Sequence, residues 1–425
     1  MKFEPTLHKL SNGISVILDP FDLETVNVKV RFRTGARDET PDEQGITHFC
    51  EHMLCKGTRR FPTSKAINEY FDINSGARNA GTSNESLDFY GRILAGNLNI
   101  LLDFFGDQIH NSLFLPEKID IERKVIKDEL HRSLDNDDRQ LVSFVSKTLL
   151  GGATYMSHKT LGTFDTLAGF TRGQMLEFLA RRLSAKNCII CVSGKIIDPD
   201  GVLKCLEKTF AFLPRMEVSE NTEIKYTPSV AHNSKPDKNN VRLRVYFPEV
   251  WEMNLENRFR RMCASRFERF MINELEEAVR YENGLVYGLG NTGIGNEKLG
   301  LVGVNTQTSV DSLEKCVALI AKNSRRIYTE NKISDDDLSR YNSRDRLLGA
   351  DFLESAGRRC GRLIDFYRDF GIVYDYYEEI RLSESIKPKD VIENSRGYFD
   401  GAMSIITQGA DFDADLKQIW EDNFK

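Results

Sequence analysis

Apolar and polar residues alternate along TVNVKVRF, where Val26, Val28, Val30 and Phe32 are separated by Asn27, Lys29 and Arg31. A period of two puts the apolar side chains on one face of a pleated backbone, so residues 25–32 read as a half-buried β-strand. LSNGISVIL, just upstream, reads as a second strand. The alternation returns in VRLRVYF, with Val241, Leu243, Val245 and Phe247, 215 positions later. Between these runs the spacing lengthens to the helical period over residues 64–74, 96–112, 116–134 and 171–183.

A second pair of segments repeats at the same distance. IICVSGKIID, followed by a helical pattern from Leu203 to Phe212, matches IITQGADFD, followed by Leu416 to Phe424, and Gly194 falls on Gly409 at an offset of 215. Two matches at one offset predict an internal duplication. The chain then divides into an N-terminal domain of residues 1–215, a polar linker of 216–240 and a homologous C-terminal domain of 241–425. Early strands, a long helical middle, a further strand and a closing helix define an α+β class. Each domain is expected to hold an antiparallel or mixed sheet with helices packed on one face.

Composition narrows the function classes. At 40% hydrophobic and 29% charged residues, the 425-residue chain can bury sizeable cores, and its net charge of -6 disfavours nucleic acid as a partner. No apolar run reaches the ~18 residues of a membrane span, and the N-terminal residues MKFEPTLHKLSNG carry no signal pattern. A cytoplasmic, soluble protein with no membrane partner is expected. The eight cysteines are irregularly spaced and read as reduced core residues. Cys188 and Cys191 form a CxxC, but on a strand their side chains point to opposite faces. The DNDD run, Asp135 to Asp138, reads as a solvated loop.

The candidate chemistry sits in GITHFCEHMLCKGT. On a helix, His48, Glu51 and His52 share one face, and two imidazoles four residues apart can ligate one ion. An ordinary helix with imidazoles on a solvated edge is the competing reading, and a third ligand would separate the two. DIERKVIKDELHRSL, a helical and acidic segment, offers Glu122 and Glu129, seven residues and two turns apart on one face.

The HxxEH pattern followed by ERKVIKDEL resembles the pitrilysin or insulinase family of zinc peptidases, and the resemblance covers nearly the whole chain. In that family a glutamate 77 positions after the second histidine completes the site, and Glu129 stands at that distance from His52. The resemblance therefore implies one zinc ion per chain, with His48, His52 and Glu129 as ligands. It implies Glu51 as the general base of a zinc-dependent endopeptidase, with Glu122 supporting the site. Cys50 stands where the family usually has an aliphatic residue; on the helix it is expected to face away from the metal and pack in the core.

ARNAGTSNESLDFYGRI resembles the family's edge strand, where Asn79, Ala80 and Thr82 would bind a peptide backbone. RYENGLVY resembles its R-x6-Y signature, in which Arg280 and Tyr287 would bind substrate and stabilise the oxyanion. By residues alone, Tyr287 reads as a packed side chain after a helix end. GLGNTG, just beyond, lacks the helix a dinucleotide site needs and reads as strand or hairpin.

The second copy has Cys263, Arg266 and Phe267 where the first has His48, Glu51 and His52, so one metal site per chain is expected. In four-domain family members the zinc and the Arg/Tyr pair lie in opposite halves. The resemblance thus implies a homodimer with Arg280 and Tyr287 acting across the interface, or a heterodimer with a related chain. The expected substrates are unfolded or short peptides. The alternative function is a non-catalytic peptide-binding or structural subunit, although such members usually lack part of the motif.

Overall fold

The computed structural model describes residues 3–151, 160–219, 224–249, 253–296, 298–395, 397–399 and 401–425, so positions 220–223 of the expected linker lie outside the described residues. In the first copy the strands are β1 (Thr6–Lys9), β2 (Ser15–Pro20), β3 (Thr25–Phe32), β4 (Gly76–Thr82), β5 (Leu87–Leu94) and β6 (Cys188–Gly194). Its helices are α1 (Ile46–Leu54), α2 (Ser64–Ile73), α3 (Leu98–His110), α4 (Pro116–Leu134), α5 (Asp137–Leu149), α6 (Phe164–Gly169), α7 (Arg172–Arg182) and α8 (Pro199–Thr209). The second copy supplies β7 (Val230–Ser234), β8 (Asn240–Glu249), β9 (Leu289–Gly295), β10 (Gly300–Ser309) and β11 (Ser404–Gly409). Its helices are α9 (Arg258–Glu276), α10 (Val310–Glu330), α11 (Asp335–Leu353), α12 (Ala356–Phe370), α13 (Tyr376–Ser385), α14 (Pro388–Asn394) and α15 (Leu416–Asn423).

The two sheets repeat one topology. The first runs β1-β2-β6-β3-β5-β4 and the second β7-β11-β8-β10-β9. Equivalent strands keep the same register, since Val26 faces Gly194 as Val241 faces Gly409, both at the offset of 215. Both glycines take a positive φ, 125° and 144°. A Cβ there would fall 2.4 Å from the Thr25 carbonyl oxygen and 2.0 Å from that of Asn240, a clash that excludes any larger residue from either copy. The mixed sheets and helical layers are the α+β class expected.

Alternating positions direct the packing. Val26, Val28, Val30 and Phe32 are fully buried in the first core with Phe89, Phe104 and Phe105; Val241, Leu243, Val245 and Phe247 do the same in the second with Phe267 and Ile320. One further helix covers the other side of the first sheet. There Arg359 of α12 pairs with Asp19 of β2 at 2.6 Å, both with fully buried side chains, and Arg31 of β3 pairs with Asp365.

The compact units depart from the division at residues 215 and 241. The first comprises the described residues within Met1–Asn136, His158–Asn221 and Leu348–Tyr376; the second, those within Asp137–Ser157, Thr222–Leu347 and Tyr377–Lys425. Each unit thus takes an equivalent helix, α12 or α5, from the other half of the chain. The cause lies in side chains on the sheets: Asp19 and Arg31 hold α12, while Leu141, Val145 and Leu149 of α5 join Tyr246, Leu301 and Ile406 in a cluster on the second sheet. The expected linker is also shorter than read, because Val230–Ser234 pairs in parallel with β11. The DNDD run is likewise not a loop throughout: Asp137 and Asp138 open α5 and pair with Lys238 and Arg242. Among the described residues no helix is long and apolar enough to cross a membrane.

Candidate metal centre

Helix α1 exists because its two faces differ. Ile46, Phe49, Cys50, Met53 and Leu54 are buried in the core, while His48, Glu51 and His52 line the opposite, half-buried face. Gly45 caps it at φ 91° and lies so close to Gly162 that a Cβ would meet the Gly162 Cα at 2.7 Å. Glu39 holds the helix start, accepting hydrogen bonds from the Gly45 amide at 2.8 Å and the Thr47 amide at 3.0 Å. Burial pushes the Glu39 carboxyl up to about 7 against the pull of those amides. Cys50 packs inward as read, its thiol 3.7 Å from the Met175 carbonyl.

Helix α4 brings its two glutamates to the imidazoles. Glu129 Oε2 lies 3.8 Å from both His48 Nε2 and His52 Nε2, and the three candidate donor atoms all fall within 4.8 Å of one another. Ligands about 2.0–2.2 Å from a tetrahedral zinc stand roughly 3.4 Å apart, so a small inward movement would close this set on an ion. His48 Nδ1 is buried without a hydrogen-bond partner among the described residues. Burial, then the neighbouring His52, lowers the His48 imidazole to about 3, so the ring is neutral and able to donate a lone pair. Two imidazoles and one carboxylate are a donor set that suits zinc.

Glu122 supports this set from behind. Its Oε2 sits 2.9 Å from His52 Nδ1 and its Oε1 accepts from Lys56 Nζ at 2.8 Å. Burial opposes ionisation of Glu122, but hydrogen bonds from His52 and Lys56 outweigh it and hold the carboxyl below its ordinary range. With Nδ1–H donated to Glu122, the His52 lone pair is left on Nε2, the atom facing Glu129. Glu51 accepts a hydrogen bond from the Thr82 hydroxyl at 2.6 Å. Burial raises the Glu51 carboxyl against that bond, which moves a prospective base toward neutral pH.

The structure thus brings His48, Glu51, His52, Glu122, Glu129 and Thr82 together in the first unit. Asn79 and Ala80 lie on the same strand as Thr82, β4, the outermost of its sheet; Asn79 is exposed and its side chain accepts from the Ala80 amide. Arg280 and Tyr287 belong to the second unit. Arg280 follows α9 in a π-helical turn, pairs with Glu276 and lies over the Tyr287 ring at 5.5 Å. Tyr287 is 93% exposed, so the packed reading of that ring is corrected. GLGNTG lies in strand β9 from Leu289 onward, as read. In the second copy the positions equivalent to His48 and His52, Cys263 and Phe267, are fully buried, and Arg266 pairs with Asp345.

Sequence reading missed Glu39 and Lys56. Lys56 had a signal, since it follows His52 by four residues, although α1 itself ends at Leu54 and Lys56 lies just past its C-cap. Glu39 had none, because a loop residue capping a later helix follows no period.

Fold and donor set define a class: a duplicated α+β chain with, among the described residues, one candidate His-His-Glu metal site, on its first copy. Residues 19–161 match the family model described as "Insulinase (Peptidase family M16)", and residues 169–344 match "Peptidase M16 inactive domain". The chain belongs to this peptidase M16, or insulinase, family. It is 27% identical over 408 residues to an "Uncharacterized zinc protease" of Rickettsia bellii, covering 95% of this chain and 97% of that one. It is also 27% identical to "Mitochondrial-processing peptidase subunit beta" of Dictyostelium discoideum, over 52% of this chain and 46% of that protein. Among solved structures, the peptidase M16 inactive domain from Pseudomonas fluorescens shares the fold at a TM-score of 0.83 and 16% identity, covering 96% of this chain and 99% of that one.

Proposed function

We propose that the chain is a zinc-dependent endopeptidase for unfolded or short peptides, with one ion held by His48, His52 and Glu129. The observation that carries this reading is the convergence of those three side chains, from helices 77 positions apart, within 4.8 Å of one another. Zinc bound there supplies Lewis acidity, which makes water acidic enough to attack at neutral pH. Glu51 accepts the proton of the attacking water and passes it to the leaving amine, so no covalent intermediate is needed. Thr82 positions Glu51 through its 2.6 Å hydrogen bond. The outer edge of β4, with Asn79 and Ala80, offers backbone pairing to an extended peptide, a mode that reads main chain more than side chains.

Glu51→Gln tests the assignment. The variant is expected to keep zinc and lose turnover of a mixed peptide library by about 100-fold or more. Full activity would remove Glu51 from its role.

Arg280 and Tyr287 act on substrate across the interface of a homodimer, a reading supported by the 93% exposure of Tyr287 beside an arginine. Mixing two inactive chains, Glu51→Gln and Tyr287→Phe, is then expected to restore roughly a quarter of wild-type turnover. Half of freely exchanged dimers are mixed, and each mixed dimer holds one complete site. No recovery on mixing would place Tyr287 on its own chain's substrate or on none.

A further inference from the structure

The second sheet carries a cavity of about 950 Å³ whose lining includes Arg242 and Arg244 of β8, Asn305 and Gln307 of β10, Asp138 and Tyr287. The two arginines alternate with the core residues Val241, Leu243 and Val245, so they project from the face opposite the main core. Register sets Arg244 beside Asn305 and Arg242 beside Gln307, which gathers two guanidiniums and two amides on one patch. Leu141, Leu285 and Leu289 add an apolar wall.

The duplication provides an internal comparison. At the equivalent place in the first sheet, Asp88 takes Lys29 at 2.8 Å and Arg31 at 2.7 Å. Burial opposes ionisation of Asp88, but those cations outweigh it and hold the carboxyl below its ordinary range. Moving 215 positions along, Lys29 becomes Arg244, Arg31 becomes Tyr246 and Asp88 becomes Gly303, which faces Tyr246 in the register that Asp88 keeps with Arg31. The cation has been kept and its carboxylate deleted. Among the described residues Arg244 makes no ion pair and reaches only the Tyr246 hydroxyl, at 3.3 Å. Arg242 pairs with Asp138, whose side chain is 73% exposed, and a pair so exposed is readily exchanged.

A guanidinium fork short of an anion, in a cavity wide enough for a peptide segment, selects for carboxylate. We propose that this cavity is a peptide-carboxylate subsite: Arg244, assisted by Arg242, binds an acidic side chain or the C-terminal carboxylate of a peptide whose backbone runs past Tyr287. The inference rests on the peptidase reading above and adds to it a substrate class, peptides with a carboxylate at a set distance from the scissile bond.

The test is kcat/KM of the full chain on matched peptides, Glu against Gln at each position and free acid against C-terminal amide, which separates the two sources of the carboxylate. Wild type is expected to prefer one acidic member by about ten-fold or more. Arg244→Gln is expected to bring that ratio toward one, and Arg244→Lys to leave it intermediate. Should Arg244→Gln fail to fold, wild type alone decides, because the preference must shrink between low and high salt. Equal cleavage of acidic and neutral members, a salt-independent ratio or full preference in Arg244→Gln would each overturn the subsite. If no peptide is cleaved, anisotropy of the same peptides carrying fluorescein reports the ratio directly. An Arg244-dependent preference in binding without cleavage would keep the subsite and refute the peptidase.

Discussion

Replacing Glu122 by glutamine preserves the shape of the side chain and removes its charge, which exposes how the site holds its second imidazole. One oxygen of Glu122 faces His52 Nδ1 at 2.9 Å and the other faces Lys56 Nζ at 2.8 Å. A glutamine can serve only one of these donors with its carbonyl. If the carbonyl keeps His52, the amide NH2 meets the Lys56 ammonium, donor against donor. If it turns to Lys56, the NH2 faces Nδ1, the imidazole proton moves to Nε2, and the lone pair pointing at Glu129 is lost. Either arrangement forfeits a charge-assisted hydrogen bond, on the order of 1.5–3 kcal/mol. The Glu122 side chain is only 4% exposed, so water cannot replace what is lost. Zinc affinity is therefore expected to fall about 10–100-fold, measured by competition with a chromophoric chelator on protein whose circular dichroism matches wild type. Adding Lys56→Met should recover part of the loss by removing the donor clash. Affinity of Glu122→Gln within two-fold of wild type would refute this account of the site.

Two further outcomes concern stability. Asp19→Asn breaks the fully buried pair with Arg359 and is expected to cost about 3–5 kcal/mol in denaturant unfolding; a loss under about 1 kcal/mol would mean that α12 is held by other contacts. Glu39 keeps its proton to about 7 in the folded chain against 4.5 in the unfolded one, so the folded state binds more protons across that window. Its contribution is fully present below pH 4.5 and is lost as pH rises toward 7, on the order of 3 kcal/mol. Glu39→Gln should flatten that slope in a pH series of unfolding curves, and an unchanged slope would contradict the assignment.

By itself the sequence determined what one element's backbone period controls. The 3.6-residue period put His48, Glu51 and His52 on one face of α1 and Glu122 and Glu129 on one face of α4, and the period of two oriented Val26 through Phe32. The 215-residue offset exposed the duplication, and with it the equivalent glycines at 194 and 409. Only the tertiary structure decided what depends on the path of the chain: that Thr82 reaches Glu51, that Glu39 caps α1, and that Lys56 and His52 share Glu122. The exchange of α5 and α12 between compact units was hidden for the same reason. Each helix shows an ordinary amphipathic pattern, and such a pattern says that a face must be covered without saying which sheet will cover it. That choice follows from buried partners, Asp19 for α12 and Tyr246 for α5, which lie 340 and roughly 100 residues away along the chain.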